Sequence, residues 1–206
     1  MSSLPESTVP LLLQVHQLTG GPGAQAVIQD LDFAWTSGLS WICGEEGSGK
    51  TTLLRLLAGD LKPFSGQVQR PAGGVFWTDL QGAAHDPITV QACWQQFQTQ
   101  CPHWDAPLLQ DVAEALDMAQ HQHKPLYMLS TGSRRKVGLI AALASWADVT
   151  LLDQPFAALD QRSVLIVKAF LQDAAQATSR AWIVADYEVP DDLPLACVLA
   201  LPLPSA

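Results

Sequence analysis

Gly44-Glu45-Glu46-Gly47-Ser48-Gly49-Lys50-Thr51 satisfies every fixed position of G-x-x-x-x-G-K-[ST], and few folds accommodate that string. It needs a buried strand that ends abruptly, a loop free to curl, and a helix that begins at the lysine. The sequence supplies all three. Residues 39–43 form a short apolar run, and residues 51–58 carry leucines at 53, 54, 56 and 57 before Gly59, a helix stop. Glycines let the backbone turn its N–H groups inward. The helix N-terminus adds partial positive charge, and Lys50 brings a compact cation to β- and γ-phosphates. Thr51 offers a hydroxyl to Mg²⁺, and Thr52 follows in the same helical turn. Glu45 and Glu46 fill variable positions that are free to point to water. They are given no chemical role beyond their place in the loop.

The rest of the chain arranges itself around that unit. Val149-Thr150-Leu151-Leu152-Asp153 reads as a buried strand with a carboxylate at its C-terminal end, which makes Asp153 the expected acid on the Mg²⁺ side. Residues 11–18 and 27–35 read as an antiparallel pair separated by Gly20-Gly21-Pro22-Gly23. Residues 90–119 have helical spacing interrupted by Pro102 and Pro107 and form an expected helical insertion. A further helix starts near Ser130, with Val137, Ile140, Ala141 and Ala144 on one face, and another covers 161–177 before a strand at 181–185. Strand and helix in alternation predict an α/β fold with a mainly parallel sheet.

Composition narrows the function. At 206 residues with 48% hydrophobic residues, the chain fits a single domain with a large core. Acids exceed bases by 20 to 11, a net charge of −9, which argues against nucleic acid as a partner. Met1 to Val15 lacks a basic leader and carries Glu6, so no signal peptide is expected, and no apolar run reaches the ~18 residues of a membrane span. A cytoplasmic location is expected. Cys43, Cys93, Cys101 and Cys197 form no C-x-x-C pair and read as idle thiols. All 11 bases lie outside 71–123, a stretch that carries Asp79, Asp86, Asp105, Asp111, Glu114 and Asp117 and is expected to present an acidic face. The charged fraction of 15% is below the usual quarter, which suggests that part of the surface is an interface.

Further strings then fall in order. Leu129-Ser130-Thr131-Gly132-Ser133, Gln81 eight residues before Thr89-Val90, and Ala158-Leu159-Asp160 accompany the phosphate loop and Asp153. Together they resemble the signature motif, Q-loop and D-loop of ATP-binding subunits of ABC transporters. The resemblance implies a RecA-like P-loop NTPase lobe at 1–81 and 145–206, an antiparallel edge sheet, and an inserted helical lobe at 82–144. It also implies that two subunits, as a homodimer or heterodimer, sandwich ATP and Mg²⁺ and dock on an integral membrane transporter subunit, peripheral to the inner face of the membrane. In that frame Ser130 caps the signature helix. Gly132 lets backbone N–H groups approach the γ-phosphate held by the opposite subunit, and Gln81 positions metal and water. The short length and the string Pro155-Phe156-Ala157-Ala158-Leu159-Asp160 are similar to the haem-exporter ATPases of cytochrome c biogenesis, and small export-type ABC subunits more generally fit as well. The basic run Arg134-Arg135-Lys136 reads as a solvated face and receives no assignment.

Several positions depart from the family pattern. Gln154 stands where the family has the glutamate that acts on the attacking water. An amide orients water but takes no proton, and losing a general base costs roughly 10²–10⁴ in rate. Asp186 stands at the switch histidine, where an ionised carboxylate would repel a γ-phosphate by ~1 kcal/mol at 4 Å even in water. The neighbouring Tyr187 is no proton acceptor at neutral pH. Thr131 and Ser133 replace the third and fifth signature residues, and no aromatic stands near Gly20 or Gly21 to stack adenine, leaving His16 as a remote substitute. Slow ATP hydrolysis is the expectation, with a hydrolysis-deficient binding module paired with an active subunit as the alternative.

Overall fold

The computed structural model describes residues 10–177 and 179–201; Met1 and Glu6, on which the leader expectation partly rests, lie outside them. The chain begins with β1 (Leu11–Gly20) and β2 (Ile28–Thr36), antiparallel partners in the register Leu13↔Trp35 and Val15↔Phe33. This is the pair the sequence predicts. β3 (Gly38–Cys43) follows directly and is buried along almost its whole length, the mark of a strand covered on both faces. The chain then enters α1 (Lys50–Ala58), β4 (Ser65–Gln69) and the two-residue β5 (Val75–Phe76).

β4 pairs with β1 to give a three-stranded sheet in the order β2-β1-β4. Its sequence, Ser65-Gly66-Gln67-Val68-Gln69, is mostly exposed and lacks an apolar alternation, so the strand exists through pairing and leaves no trace in hydropathy. Next come α2 (Val90–Gln100) and α3 (Ala106–Ala115), the predicted helical insertion. Pro102 falls between them and Pro107 sits in the first turn of α3, where the missing N–H would have had no helical partner. The Thr89 side chain caps α2 and Asp105 caps α3. Trp94 Nε1 donates to Val137 O at 3.1 Å, which fastens α2 to the helix that follows.

That helix is α4 (Thr131–Ala144), followed by β6 (Val149–Asp153), α5 (Gln161–Ala174), β7 (Ala181–Asp186) and β8 (Cys197–Ala200). The second sheet is parallel in the order β5-β6-β7-β3-β8. One face is covered by Leu53, Leu54, Leu56 and Leu57 of α1, which pack with Ile42, Leu151 and Ile183. The other face, carrying Trp41, Leu152, Trp182 and Val184, packs in one continuous core with α4, α5 and the inserted helices. Because the strands are parallel, Cys43, Asp153 and Asp186 all end on the same edge, with Asp153 opposite Ala185 and Cys43 opposite Asp186. That edge is where open α/β sheets build sites. Every leucine of α1 at 53, 54, 56 and 57 is fully buried. Leu57→Ala is expected to lower unfolding free energy by about 2–5 kcal/mol, read as a reduced urea midpoint with an unchanged m-value.

Candidate nucleotide and metal site

The loop between β3 and α1 is shaped by its glycines. Gly49 caps α1 at φ 98°, a conformation open to glycine at no steric cost, and a Cβ there would lie 2.7 Å from Val27 Cγ1. The Ser48 N–H donates to Glu45 O at 3.2 Å. Glu45 and Glu46 are exposed, as expected for variable positions. Lys50 is 5% exposed and its Nζ donates to Gly44 O at 2.6 Å and Glu45 O at 2.9 Å. The Tyr187 ring lies over the same ammonium, 4.5 Å from Nζ to the centroid. Ser48 Oγ is buried without a hydrogen-bond partner. A buried hydroxyl of that kind is a group waiting for an acceptor, and a phosphate oxygen in the loop meets the need.

One residue further, Thr51 Oγ1 donates to Asp153 Oδ2 at 2.6 Å across 102 residues of sequence. The other carboxylate oxygen, Asp153 Oδ1, is buried and unpartnered. Burial pushes the Asp153 carboxyl above the usual carboxylate range, and the Thr51 hydrogen bond and the charges of Arg135 and Lys50 only partly oppose it. A hydroxyl and an unsatisfied anionic oxygen side by side fit Mg²⁺, a hard cation that takes one or two protein oxygens and fills its other positions with water and phosphate. A cavity of about 230 Å³ opens beside this pair, and Gln81, Arg135 and Gln154 share its walls with Thr51 and Asp153. Thus four residues nominated from sequence, Thr51, Gln81, Asp153 and Gln154, converge on one hollow.

Gln154 is held by its backbone. It has φ 44°, its N–H donates to Ala185 O at 2.8 Å, and its carbonyl accepts from Arg135 Nη1 at 2.5 Å. The same Nη1 donates to Asp153 O at 3.0 Å. The basic run of α4 is therefore not a solvated face. Arg134 pairs with Asp86 at 2.7 Å and reaches Gly82 O at 3.1 Å. Lys136, 8% exposed, bonds Leu116 O at 3.2 Å and Asp160 Oδ2 at 2.8 Å. The reason is geometric: three consecutive residues sweep roughly 200° around a helix, and α4 is enclosed on more than one side. That sweep, set beside the apolar positions of the same helix, was the sequence signal for their burial.

The remaining nominees occupy other places. Ser130 caps α4 as expected, its Oγ accepting from the Ser133 N–H at 3.1 Å. A Cβ on Gly132 would lie 2.2 Å from Ala158 O, so within the chain this glycine admits the D-loop backbone. Asp160 caps α5 through the Ser163 N–H at 2.9 Å. The hydrogen bond from Lys136, with those from Ser163, holds its carboxyl far below the usual range. Neither Ser130 nor Gly132 lines the Thr51–Asp153 cavity. Asp186 accepts the Tyr187 N–H at 2.8 Å, and it is Tyr187 whose side chain meets Lys50. His16 faces Asp32 at 3.4 Å. The acidic stretch is also partly neutralised from outside, with Asp86 paired to Arg134 and Asp117 to Arg162 at 3.1 Å, while Asp105 caps α3 and accepts from Trp146 Nε1 at 3.2 Å.

A parallel sheet in which an interior strand runs into a lysine-bearing glycine loop, with a strand-end carboxylate on the loop's threonine, defines a P-loop nucleotide-binding protein. The chain belongs to the ABC transporter family, whose sequence pattern matches residues 29–157, as an ATP-binding subunit. Members of that family bind and hydrolyse ATP, typically with Mg²⁺. Curated relatives include the cytochrome c biogenesis ATP-binding export protein CcmA of Rhizobium meliloti, 32% identical and spanning 72% of this chain and 78% of its own. The protein of that name from Rhodobacter capsulatus is 31% identical over 75% and 72% of the two chains. Among solved structures, a putative ABC transporter ATP-binding protein from Pyrococcus furiosus superposes with a TM-score of 0.72 at 22% identity, over 92% of this chain and 96% of that one. No described helix is long and apolar enough to cross a membrane.

The raised Asp153 carboxyl has a consequence for stability. It binds a proton more tightly folded than unfolded, so its favourable contribution is complete below the unfolded value near 4 and is lost as pH rises through the folded value. Asp153→Asn is accordingly expected to be more stable than the parent chain at pH 7 in chelator, and the advantage should fade toward pH 4. Urea titrations at the two pH values test this, and a less stable variant at pH 7 would contradict it.

Proposed function

We propose that this chain couples ATP binding and slow hydrolysis to export through a separate integral membrane subunit, in the manner of the cytochrome c biogenesis relatives and their haem-exporter class. The observation that carries the reading is the Thr51–Asp153 hydrogen bond with its orphaned Oδ1, set beside the Lys50 loop. Lys50 and the Ser48 hydroxyl bind phosphate, Thr51 and Asp153 hold the cation, and Gln81, which lines the same cavity, positions metal and water. Bound Mg²⁺ supplies charge neutralisation on the phosphates. Residues 82–144 act as the helical lobe, and 1–81 with 145–206 as the nucleotide lobe. In a homodimer or heterodimer, the amides that follow Ser130 and surround Gly132 cap the γ-phosphate of the other subunit.

Hydrolysis is slow because Gln154 takes no proton. Its amide orients the attacking water, and its backbone already stands where a glutamate would be held, fixed by Ala185 and Arg135. Gln154→Glu is expected to raise phosphate release under multiple turnover, by up to roughly 10²-fold; Lys50→Ala gives the baseline. A parent rate indistinguishable from Lys50→Ala would instead favour a second reading, a binding module in which an active partner subunit performs the hydrolysis. The substitutions at Gln154 and Asp186 motivate that reading.

The membrane partner is expected to meet α3 with a basic cytoplasmic helix. Asp111 and Glu114 are exposed there, one turn apart, and neither has an ion-pair partner among the described residues. The complex should weaken on raising salt from 50 to 500 mM, measured by co-purification or interferometry. Salt-insensitive binding would remove this electrostatic account.

A further inference from the structure

The Lys50 ammonium is fully engaged by its own chain. Two of its protons go to the Gly44 and Glu45 carbonyls at 2.6 and 2.9 Å, and the Tyr187 ring lies 4.5 Å away. An ammonium has three donors, and the face of an aromatic ring attracts the positive charge left over. A phosphate oxygen that accepts a hydrogen bond from Nζ therefore competes with these partners for the ammonium. The carbonyls belong to the loop itself, which Ser48 N–H closes onto Glu45 O. Tyr187 is different, being 47% exposed and just past the end of β7. Its backbone is anchored on both sides, since Asp186 Oδ1 accepts its N–H at 2.8 Å and Trp41 Nε1 donates to Glu188 O at 2.8 Å. The ring thus leaves Lys50 by rotating its side chain, with no movement of the strand.

We propose that Tyr187 is a phosphate-site residue: its ring holds the Lys50 ammonium in competition with phosphate, and so sets the affinity of the loop for nucleotide. The inference rests on the reading of residues 44–51 as the phosphate loop. It assigns to Tyr187 a function that its neighbour Asp186, bonded to the Tyr187 amide, does not perform. Because the competition is for phosphate and not for the base, it acts equally on any polyphosphate ligand.

The test is calorimetric titration of the full chain with Mg-ADP and, separately, with inorganic tripolyphosphate and Mg²⁺. Tyr187→Ala is expected to bind both ligands about three- to tenfold more tightly than the parent chain, and Tyr187→Phe, which keeps the ring, to stay within about twofold of it. Unchanged or weaker binding by Tyr187→Ala overturns the proposal. So does a Phe variant that binds as tightly as the Ala variant, which would assign the effect to the hydroxyl. Weakened ADP binding with tripolyphosphate unaffected would make Tyr187 an adenine contact and overturn it as well. Lys50→Ala should abolish binding of both ligands. A parent chain that binds neither ligand would refute the loop reading itself, whereas normal parent binding with an inert Tyr187→Ala refutes this inference alone.

Discussion

A carboxylate with one oxygen satisfied and the other buried bare is an unfavourable object, and Asp153 is such an object at the edge of the parallel sheet. Desolvating an anionic oxygen without a partner costs more than an ordinary hydrogen bond returns. The chain tolerates it because β6 is locked between β5 and β7 and cannot swing the side chain out to water. Much else follows from that placement. The phosphate loop must deliver Thr51 to Oδ2, which fixes where α1 starts, and α1 in turn must bury its leucines against the sheet beneath. The fold concentrates electrostatic need at one edge and leaves a divalent cation and a polyphosphate as the natural relief.

Around this edge, α4 acts as a fastener to three different loops. Arg134 ties it to the segment after Gln81, Arg135 to the carbonyls of Asp153 and Gln154, and Lys136 to Asp160. Three charges side by side on one helix usually repel and seek solvent. Here each has its own acceptor on a different side, and two of those acceptors are the carboxylates Asp86 and Asp160. A helix bound in this way links the Asp153 edge, the segment after Gln81 and the turn before α5.

The sequence made the phosphate loop, β1, β2, β3, β6, β7 and the principal helices legible because each carries a strong local signal: a glycine pattern, an apolar run or a helical spacing. β4, β5 and β8 were not legible. β4 is polar and exposed, β5 has two residues, and β8 is an edge strand in a proline-dotted tail, so their existence depends on neighbours that local hydropathy does not report. At the site, Thr51, Gln81, Asp153 and Gln154 could be named from motif order alone. The partners of Arg135 and Lys136 could not, since they lie 18 to 24 positions away and helical spacing, which signals burial, does not identify the acceptor. Tyr187 stands out in the sequence only as a neighbour of the switch position unfit to accept a proton, and its contact with Lys50 leaves no local signal. Motif register pointed to Asp186, whereas it is the next side chain along that lies over Lys50.

Gly132 carries a mechanical consequence. The carbonyl of Ala158 fills the space a methyl group would need, and Ala158 itself sits at φ 60°, a left-handed geometry that a residue with a side chain holds only under constraint. With Lys136 gripping Asp160 two residues on, the start of α4 and the turn before α5 are meshed like two gear teeth. Any tilt of the first drags the second. Neither can be adjusted by an incoming protein surface without the other registering the push.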